Sequence, residues 1–548
     1  MSETTEIDEI KLEPLLPKPE PIESSEQSNF FIFLEALTGG LSMLLVVIYM
    51  STCSGFAGNL PNSGLYVEAI GIADVYQQLP SYIFWGLNSG LNVLAGRYAG
   101  DKNYSKIHQI LKKYMLCIFL VITITFFYNI AIYAFLGNLY KTKPDLKDCT
   151  RFALVFTFFE FGAAYYCDAF RQLFQSREFY YLSFWIQFVG MIFTFGCSYI
   201  MIEDLHLDFL GVNLGPVTSQ LLNLMIYLAA WVYFPQWKDY WESIKSYQLK
   251  KKKRRERKKR EKQKINPVIV SIIDSKNTTE MNSNISILDN NINEEIKPRR
   301  KSTGVSSNTE EKVVKIDNLS GFLKFNFMYA SSYFLDGFWT LLDTLLATYF
   351  FDDSVVSAQA SFIFVIWTQV VEFSYGYTNV LCTKISQMMM QGDWRKAKKL
   401  TITYSLQILA LTSFLSFLLY YFEEKLCHLV MKDPVTLAIL RQFTRFYTIV
   451  LPFDFLAELT FSVCRSINKQ TQFFYSQIFC NYILHFFILF LLIKYTEIGG
   501  ISIWISYFIC RVVLTIIGYS FIFSSDWEKE AYYIQEQMEE EEGKMSIE

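Results

Sequence analysis

Long apolar stretches alternate with short polar segments along most of the chain. About 20 apolar residues span the roughly 30 Å hydrocarbon core of a bilayer as a helix, and a search for such stretches predicts twelve membrane helices. Six precede a long polar segment and six follow it: about 30–52, 66–96, 110–137, 150–172, 178–201 and 208–234, then about 320–350, 355–385, 397–422, 441–464, 471–494 and 498–524. The pattern predicts an all-α polytopic membrane protein.

The composition supports a membrane protein and disfavours a soluble chain with twelve buried helices. Of the 548 residues, 52% are hydrophobic and only 19% are charged, compared with roughly 25% charged residues in a typical soluble protein. The chain also lacks the Walker A, HExxH and GxSxG patterns of common ATPases, metalloproteases and serine hydrolases. We therefore predict neither an enzyme nor a bound cofactor or metal.

Three polar segments divide the chain. We predict an acidic tail at 1–29, a first lobe at 30–234, a basic linker at 235–318, a second lobe at 319–524 and an acidic tail at 525–548. Twelve of the fifteen residues from Lys250 to Lys264 are Lys or Arg. Such a run is attracted to anionic cytoplasmic lipid by about 1 kcal/mol per basic residue, whereas nucleic-acid binding is a weak interpretation in a membrane chain.

Lysine and arginine in the short loops indicate the orientation, because cytoplasmic loops carry an excess of both. With the N-terminus inside, the loops near 97–113, 171–177, 384–399 and 465–469 are basic and cytoplasmic, although the loop at 141–151 is also basic and would lie outside. We expect both chain termini in the cytoplasm. The sequence does not decide which membrane holds the protein, and both the plasma membrane and an endomembrane such as that of the vacuole are compatible with it.

The two halves of the chain resemble each other. GLNSGLNVLAGRYAGDKNYSK at 86–106 corresponds to GYTNVLCTKISQMMMQGDWRK at 376–396, a shift of 290 residues, and FFEF at 158–161 aligns with PFDF at 452–455, a shift of 294. Six spans per half is an even number, so both halves enter the membrane in the same direction. We expect two similar six-helix lobes around a central cavity, the architecture of many secondary transporters.

Several segments resemble multidrug and toxin extrusion (MATE) transporters. They include GLNSGLNVLAGRYAGDKN at 86–103, LGVNLGPVTSQ at 210–220, SAQA at 357–360, the segment 375–399 and FDFLAELTFSVCRSINKQ at 453–470, and their order over twelve spans is the stronger signal. Arg97 stands where the family usually has Gln. The resemblance implies an antiporter that exports organic, usually cationic, compounds in exchange for H⁺ or Na⁺, with H⁺ typical of the eukaryotic branch.

The same resemblance places the family's carboxylates of the seventh and tenth helices on Asp336 and Asp454, with Asp343 as a competitor for Asp336. Two other functions stay open. One is a flippase for lipids or lipid-linked amphipathic molecules in the same superfamily, and the other is a membrane scaffold that does not transport.

Carboxylates inside the predicted spans are candidates on physical grounds as well. Each costs roughly 2.5–3.5 kcal/mol at a helix centre, so it faces a cavity or a partner. Asp336 and Asp343 lie seven residues apart on nearly one helix face, and Asp454 and Glu458 lie four apart. Neighbouring carboxylates in low dielectric resist double ionisation, so one of each pair binds a proton readily.

The first lobe offers weaker candidates. Glu160 aligns with Asp454 at the shift of 294, and further acids are Glu35, Asp74 and Asp168. The alternative for all of these acids is structural: they pair with an arginine such as Arg511 or with tyrosine hydroxyls and only fix the packing.

Overall fold

The computed structural model describes residues 29–57, 60, 62–139, 144–234, 237–249, 252–253, 319–431 and 433–547, and this part of the chain is helical with short loops. Nearly all of the predicted N-terminal tail and most of the linker, including most of the basic run, lie outside the described residues. So does part of the basic loop at 141–151 that opposed the orientation.

Twelve long helices confirm the twelve predicted spans. The first lobe contains α1 Asn29–Ala57, α2 Ser63–Gly100, α3 Tyr104–Leu139, α4 Pro144–Ser176, α5 Tyr180–Asp204 and α6 Asp208–Tyr233. The second lobe contains α7 Leu319–Phe350, α8 Asp353–Met390, α9 Trp394–Val430, α10 Pro434–Ser466, α11 Gln470–Tyr495 and α12 Ile501–Ser524. A helical segment at 237–249 follows α6. We call the side where α1 begins and α12 ends the terminal side, and the other the opposite side.

Eight of these helices are long and apolar enough to cross a membrane: α3, α5, α6 and α8 to α12. In the described residues α2 and α4 fall outside that group because they carry polar groups inside the bundle, among them Gln77 on α2 and Glu160 on α4, which are both buried. Outer helices show the reverse pattern. On α9, for example, Phe414 and Phe417 are exposed, as expected of side chains that face lipid.

The loops on the terminal side repeat between the lobes at a shift of 290. The α2–α3 and α8–α9 turns place Lys102 and Gly392 at positive φ, and the α4–α5 and α10–α11 turns do the same with Glu178 and Asn468. The shift of 294 that paired Glu160 with Asp454 is therefore wrong by four residues. Four residues are close to one helical turn, so a hydrophobic pattern of period 3.6 matches nearly as well at the wrong register.

Glycines bring the two lobes into contact at two equivalent places. A Cβ on Gly86 of α2 would lie 2.3 Å from Ala330 Cα of α7, and a Cβ on Gly376 of α8 would lie 2.3 Å from Gly39 O of α1. Small residues let membrane helices approach closely, so that van der Waals packing holds them together. These contacts join the lobes near the middle of the helices.

The expected acidic tail at 525–548 contains a helix, α13 (Trp527–Ile547). Its buried residues Trp527, Ala531, Ile534 and Met538 recur every three or four positions, so an apolar stripe lies beneath the acidic face. Trp527 and Ile534 pack in the second-lobe core, while Met538 packs in the first-lobe core. The helix thus crosses the boundary between the lobes on the terminal side.

The glycine contact gives a stability prediction. Replacing Gly376 by leucine should destabilise the protein by roughly 1–3 kcal/mol, the usual cost of overpacking, because the new side chain meets Gly39 O and Met43 Cγ. Gly196 of α5 is the matched control, since a Cβ there has nothing within 4 Å. Apparent melting temperatures in detergent measure both variants, and an equal loss for both would contradict the prediction.

Candidate functional site

A cavity of about 1390 Å³ lies between the two lobes. Its walls come from α1, α2, α4 and α5 of the first lobe and from α8 and the end of α9 in the second. It reaches the opposite surface, where the lining residues Val67, Glu68 and Leu429 are exposed. The protein is therefore open to the opposite side.

The cavity wall is acidic and aromatic. Its charged lining residues are Glu68, Asp74, Asp168 and Glu372, and none of the described residues that line it is Lys, Arg or His. Asp168 is held by Arg171, whose Nε lies 2.5 Å from Asp168 Oδ1 behind the wall. The aromatic lining residues are Phe56, Phe84, Trp85, Phe161, Tyr165 and Phe195.

This combination suits a cation with an apolar body. Aromatic faces attract cations within about 6 Å of the ring centroid, and a cleft lined by one sign of charge concentrates the opposite sign. The Phe84 and Tyr165 rings stack at 4.0 Å and give the wall a continuous aromatic surface. Such a wall can bind an organic cation without a dedicated ion pair for each substrate.

Polar contacts between the lobes close the terminal side. Asn92 of α2 donates to Asn379 O at 3.0 Å and accepts from Thr383 Oγ1 at 2.6 Å, both on α8. Gln387 of α8 donates to Ser176 O at 3.2 Å. Beneath them the cavity is cut off from the terminal side.

Lys384 of α8 is the charged centre of this closure. Its Nζ lies 3.2 Å from Glu35 Oε2 on α1 and 2.6 Å from Glu178 Oε1 in the α4–α5 loop. Lys384 itself is buried. Two first-lobe carboxylates therefore bind one second-lobe ammonium. Glu35 consequently lies at the lobe boundary and not in the cavity.

Arg97, the departure from the family pattern, also crosses the boundary. Its guanidinium donates to Asn468 Oδ1 at 2.7 Å in the α10–α11 loop. From the second lobe, Arg465 of α10 donates across the boundary to Ser89 Oγ of α2, and within its own lobe to Tyr333 OH at 2.9 Å. Arg97 thus contributes to closure of the terminal side.

The strongest sequence candidates meet inside the second lobe. Asp454 Oδ1 lies 3.0 Å from Arg511 Nε, and Asp336 Oδ1 lies 3.4 Å from Arg511 Nη2. Asp454 also accepts from Tyr507 OH at 2.5 Å and from Tyr447 OH at 2.8 Å. We use the name Arg511 cluster for Arg511, Asp336 and Asp454 together with their hydrogen-bond donors, which are Tyr447, Tyr507 and the two donors to Asp336 described next.

Asp336 is fixed by two more donors. Tyr375 OH of α8 lies 2.9 Å from Asp336 Oδ2, and Asn481 Nδ2 of α11 lies 3.1 Å from Asp336 Oδ1. Neither Asp336 nor Asp454 is among the cavity-lining residues. The cluster is a buried charged core beside the cavity, and it has the arginine and tyrosine partners that the structural alternative anticipates.

The remaining sequence candidates are not hydrogen-bonded to the cluster, although Glu458 lies within electrostatic range of Asp336, Asp454 and Arg511. Asp343 is paired with His485, whose Nε2 lies 2.8 Å from Asp343 Oδ1. The Oε1 atoms of Glu458 and Glu160 are buried without a hydrogen-bond partner in the described part of the chain. Glu160 lies within electrostatic range of Asp74, which lines the cavity.

The sequence analysis missed Glu372 and underweighted Asp74 and Asp168. All three are intramembrane acids that reach the cavity wall, and the rule that selected Asp454 applies to each of them equally. What distinguishes them is which helices face the lobe boundary, and that emerges only from the packing of α2, α4 and α8.

Comparisons with known proteins agree with this architecture. A family model, MatE, matches residues 40–200 and 330–491, which together are more than half of the chain and repeat at the same shift as the loops. No curated protein sequence matches the chain.

Solved structures show the same fold. AtDTX14, a eukaryotic MATE transporter, is 13% identical with a TM-score of 0.71 and covers 93% of this chain and 100% of its own. A MOP-superfamily transporter from Pyrococcus furiosus, whose binding pocket of reverse polarity is said to suggest a different function, is 10% identical with a TM-score of 0.66, covering 93% and 97%. An outward-facing multidrug resistance MATE family transporter is 11% identical with a TM-score of 0.63, covering 93% and 97%.

The Lys384 closure gives a conformational prediction. Replacing Lys384 by methionine leaves Glu35 and Glu178 to repel each other, so the terminal side should open more often. A change of about 1 kcal/mol corresponds to roughly a fivefold change in the population ratio. Spin-label distances between positions 102 and 399, which are exposed on the terminal side of the two lobes, should show a larger fraction of long distances.

Lys396 is the matched control, because it pairs with Asp393 at 3.1 Å but is half exposed and lies within the second lobe. Lys396→Met should leave the distance distribution unchanged. An unchanged distribution in Lys384→Met would show that the ion pairs do not hold the lobes together.

Proposed function

The chain belongs to the MatE family of multi-pass membrane transporters, and we propose that it exports organic cations in exchange for protons by alternating access. The observation that carries the proposal is the cavity wall, which is acidic and aromatic and includes no basic side chain among its described residues. With both termini in the cytoplasm, as the loop charges indicate, the open side faces outward or toward an organelle lumen.

The charge of the Arg511 cluster supports proton coupling. Asp336 and Asp454 contribute two negative charges against one guanidinium, so the cluster carries an excess charge of −1 when both acids are ionised. In a low-dielectric interior an uncompensated charge is costly, and one bound proton removes it. We assign Asp454 and Asp336 as the principal coupling residues.

Helix α8 connects the proton site to the cavity. Tyr375 donates to Asp336, and Glu372, three residues earlier on the same helix, lines the cavity. A hydrogen bond to an ionised carboxylate is roughly twice as strong as one to a neutral group. Protonation of Asp336 would loosen Tyr375 and with it the position of α8 against the substrate.

Glu458, Asp343 and Glu160 complete the proposed set of coupling residues. Glu458 and Glu160 each have a buried carboxylate oxygen without a hydrogen-bond partner in the described residues, which is a site where a proton lowers the cost of burial. Because the corrected register removes the symmetry of Glu160 with Asp454, its support is its burial next to Asp74.

The chain divisions keep their proposed roles. Lobes at 30–234 and 319–524 form the carrier, and the basic linker at 235–318 binds anionic lipid on the cytoplasmic face, with acidic cytoplasmic segments at 1–29 and 525–548. None of the described residues of the linker or the tails lines the cavity.

Transport in proteoliposomes tests the function. Wild-type protein should move tetraethylammonium or ethidium when a pH gradient is imposed, and Asp454→Asn should abolish the gradient-driven flux, because the excess charge that attracts the proton is lost. Glu424→Gln is a control acid that is exposed on the opposite side and should transport normally.

Each alternative predicts a different result. A sodium-coupled carrier would respond to an imposed Na⁺ gradient and not to pH. Absence of cation flux under both gradients would contradict the proposal and favour the flippase, which a fluorescent-lipid scrambling assay detects. A scaffold would show neither activity.

The cavity acids give a separate prediction on affinity. Glu372→Gln should raise the KM for tetraethylammonium roughly three- to tenfold, or about 0.7–1.4 kcal/mol, because one cavity charge that attracts the cation is removed. The turnover number should change little, since the Arg511 cluster is intact. A KM equal to that of Glu424→Gln would show that Glu372 does not face the substrate.

A further inference from the structure

Two carboxylates of α7 contact α11 and form successive rungs of a ladder, and Tyr482 OH of α11 also donates to Leu335 O of α7. The first rung is Asp336 with Asn481, 3.1 Å apart, and it belongs to the Arg511 cluster. The second is Asp343 with His485, 2.8 Å apart. Seven residues of α7 separate the rungs, a rise of about 10 Å along the helix.

The second rung lies farther toward the opposite side than the first, because α7 and α11 both run from the terminal side to the opposite side. Residues Phe479–Leu484 of α11, which contain Asn481 and lead directly to His485, form a π-helical turn. Such turns are rare and are frequent at functional sites. The turn thus contains Asn481 and ends just before His485, and both side chains reach α7.

The second rung is buried and incompletely satisfied. His485 and Asp343 are 1% and 0% exposed. His485 Nδ1 and Asp343 Oδ2 have no hydrogen-bond partner in the part of the chain that the structure describes. A neutral imidazole that donates from Nε2 to the carboxylate leaves Nδ1 as a free acceptor.

Among the described residues no Lys or Arg forms an ion pair with the rung. From α12 the neighbouring polar groups are Cys510, which lies within electrostatic range of Asp343, and Tyr507 and Arg511, which are bonded to Asp454. On α11 itself the titratable neighbours include Tyr482, which donates to Leu335 O, and Cys480, which lies within electrostatic range of Cys510. On α7 the neighbouring titratable group is Asp336, one rung away.

Aromatic rings connect the second rung to the Arg511 cluster. Trp339 of α7 lies 5.5 Å from the His485 ring and stacks on Tyr507 at 4.8 Å, and Tyr507 holds Asp454. The rung is thereby packed against the Arg511 cluster and shielded from the lipid.

We propose that His485, with Asp343, is a proton-loading site through which protons from the opposite side reach the Arg511 cluster. With neutral His485 and ionised Asp343 the rung carries a charge of −1. A proton that binds at Nδ1 forms an imidazolium next to the carboxylate and brings the rung to neutrality. The inference rests on the proposed proton antiport.

The test separates proton loading from substrate transport. In proteoliposomes, His485→Gln should reduce flux driven by a pH gradient by about tenfold, because the proton loses the group that accepts it. Exchange of labelled for unlabelled tetraethylammonium without a gradient should stay within about twofold of wild type, since exchange requires no net proton movement. Asp343→Asn should behave in the same way.

His108 provides the matched control. It is a histidine of the first lobe that contacts Tyr240 OH at 3.1 Å, and His108→Gln should keep both activities. As a second readout, detergent-solubilised protein in weak buffer with a pH indicator should release fewer protons on substrate addition when His485 is replaced by glutamine.

The outcomes are distinguishable from failure of the proposed function. Gradient-driven flux and proton release in His485→Gln equal to wild type, with Asp454→Asn inactive, would overturn this inference and leave the antiporter in place. Equal loss of driven flux and exchange would also overturn it, because it would indicate a structural role. Absence of driven flux in the wild type would reject the antiporter itself.

Discussion

The second lobe is organised around one buried guanidinium. Arg511 holds Asp336 of α7 and Asp454 of α10 at 3.4 and 3.0 Å, so that three helices meet at one positive charge. Burial of an ion is tolerated only where partners replace its hydration, and here tyrosine hydroxyls from α8, α10 and α12 and the Asn481 amide of α11 supply further hydrogen bonds. The same ion pairs therefore fix the arrangement of these helices and set the charge balance of the lobe.

Because these ion pairs hold the helices together, protonation of one of the carboxylates also changes the packing of the helices. Removing one partner of a buried charged pair commonly costs about 3–5 kcal/mol, and a proton on Asp336 weakens three contacts at once. Of these contacts, the one with Tyr375 involves α8, the helix that lines the cavity and also carries Lys384 of the terminal-side closure. Helix α8 thus contacts the proposed proton site through Tyr375 and carries residues of both the proposed substrate site and the closure.

The sequence predicted the helices well and the contacts poorly, for physical reasons. Bilayer thickness fixes the length of each span, so all twelve spans overlap observed helices. Arg511 and tyrosine hydroxyls were named as alternative partners of the acids, but the sequence did not indicate which acid each one holds. His485, the partner of Asp343, comes from α11, far along the chain, and no local pattern specifies it. The acidic composition after residue 525 hid the apolar stripe of α13, since a few buried residues every three or four positions change the composition little.

The two kinds of contact between the lobes suit different tasks. Near the helix centres the lobes meet through Gly39, Gly86 and Gly376, where the gain is van der Waals packing and separation would leave an empty gap inside the membrane. At the terminal side they meet through Asn92 with Thr383 and Lys384 with its carboxylates, groups that water hydrates readily once they part. In an alternating-access cycle the glycine contacts can act as the pivot, because separating the polar groups exchanges their bonds for bonds to water, whereas separating the glycines has no such compensation.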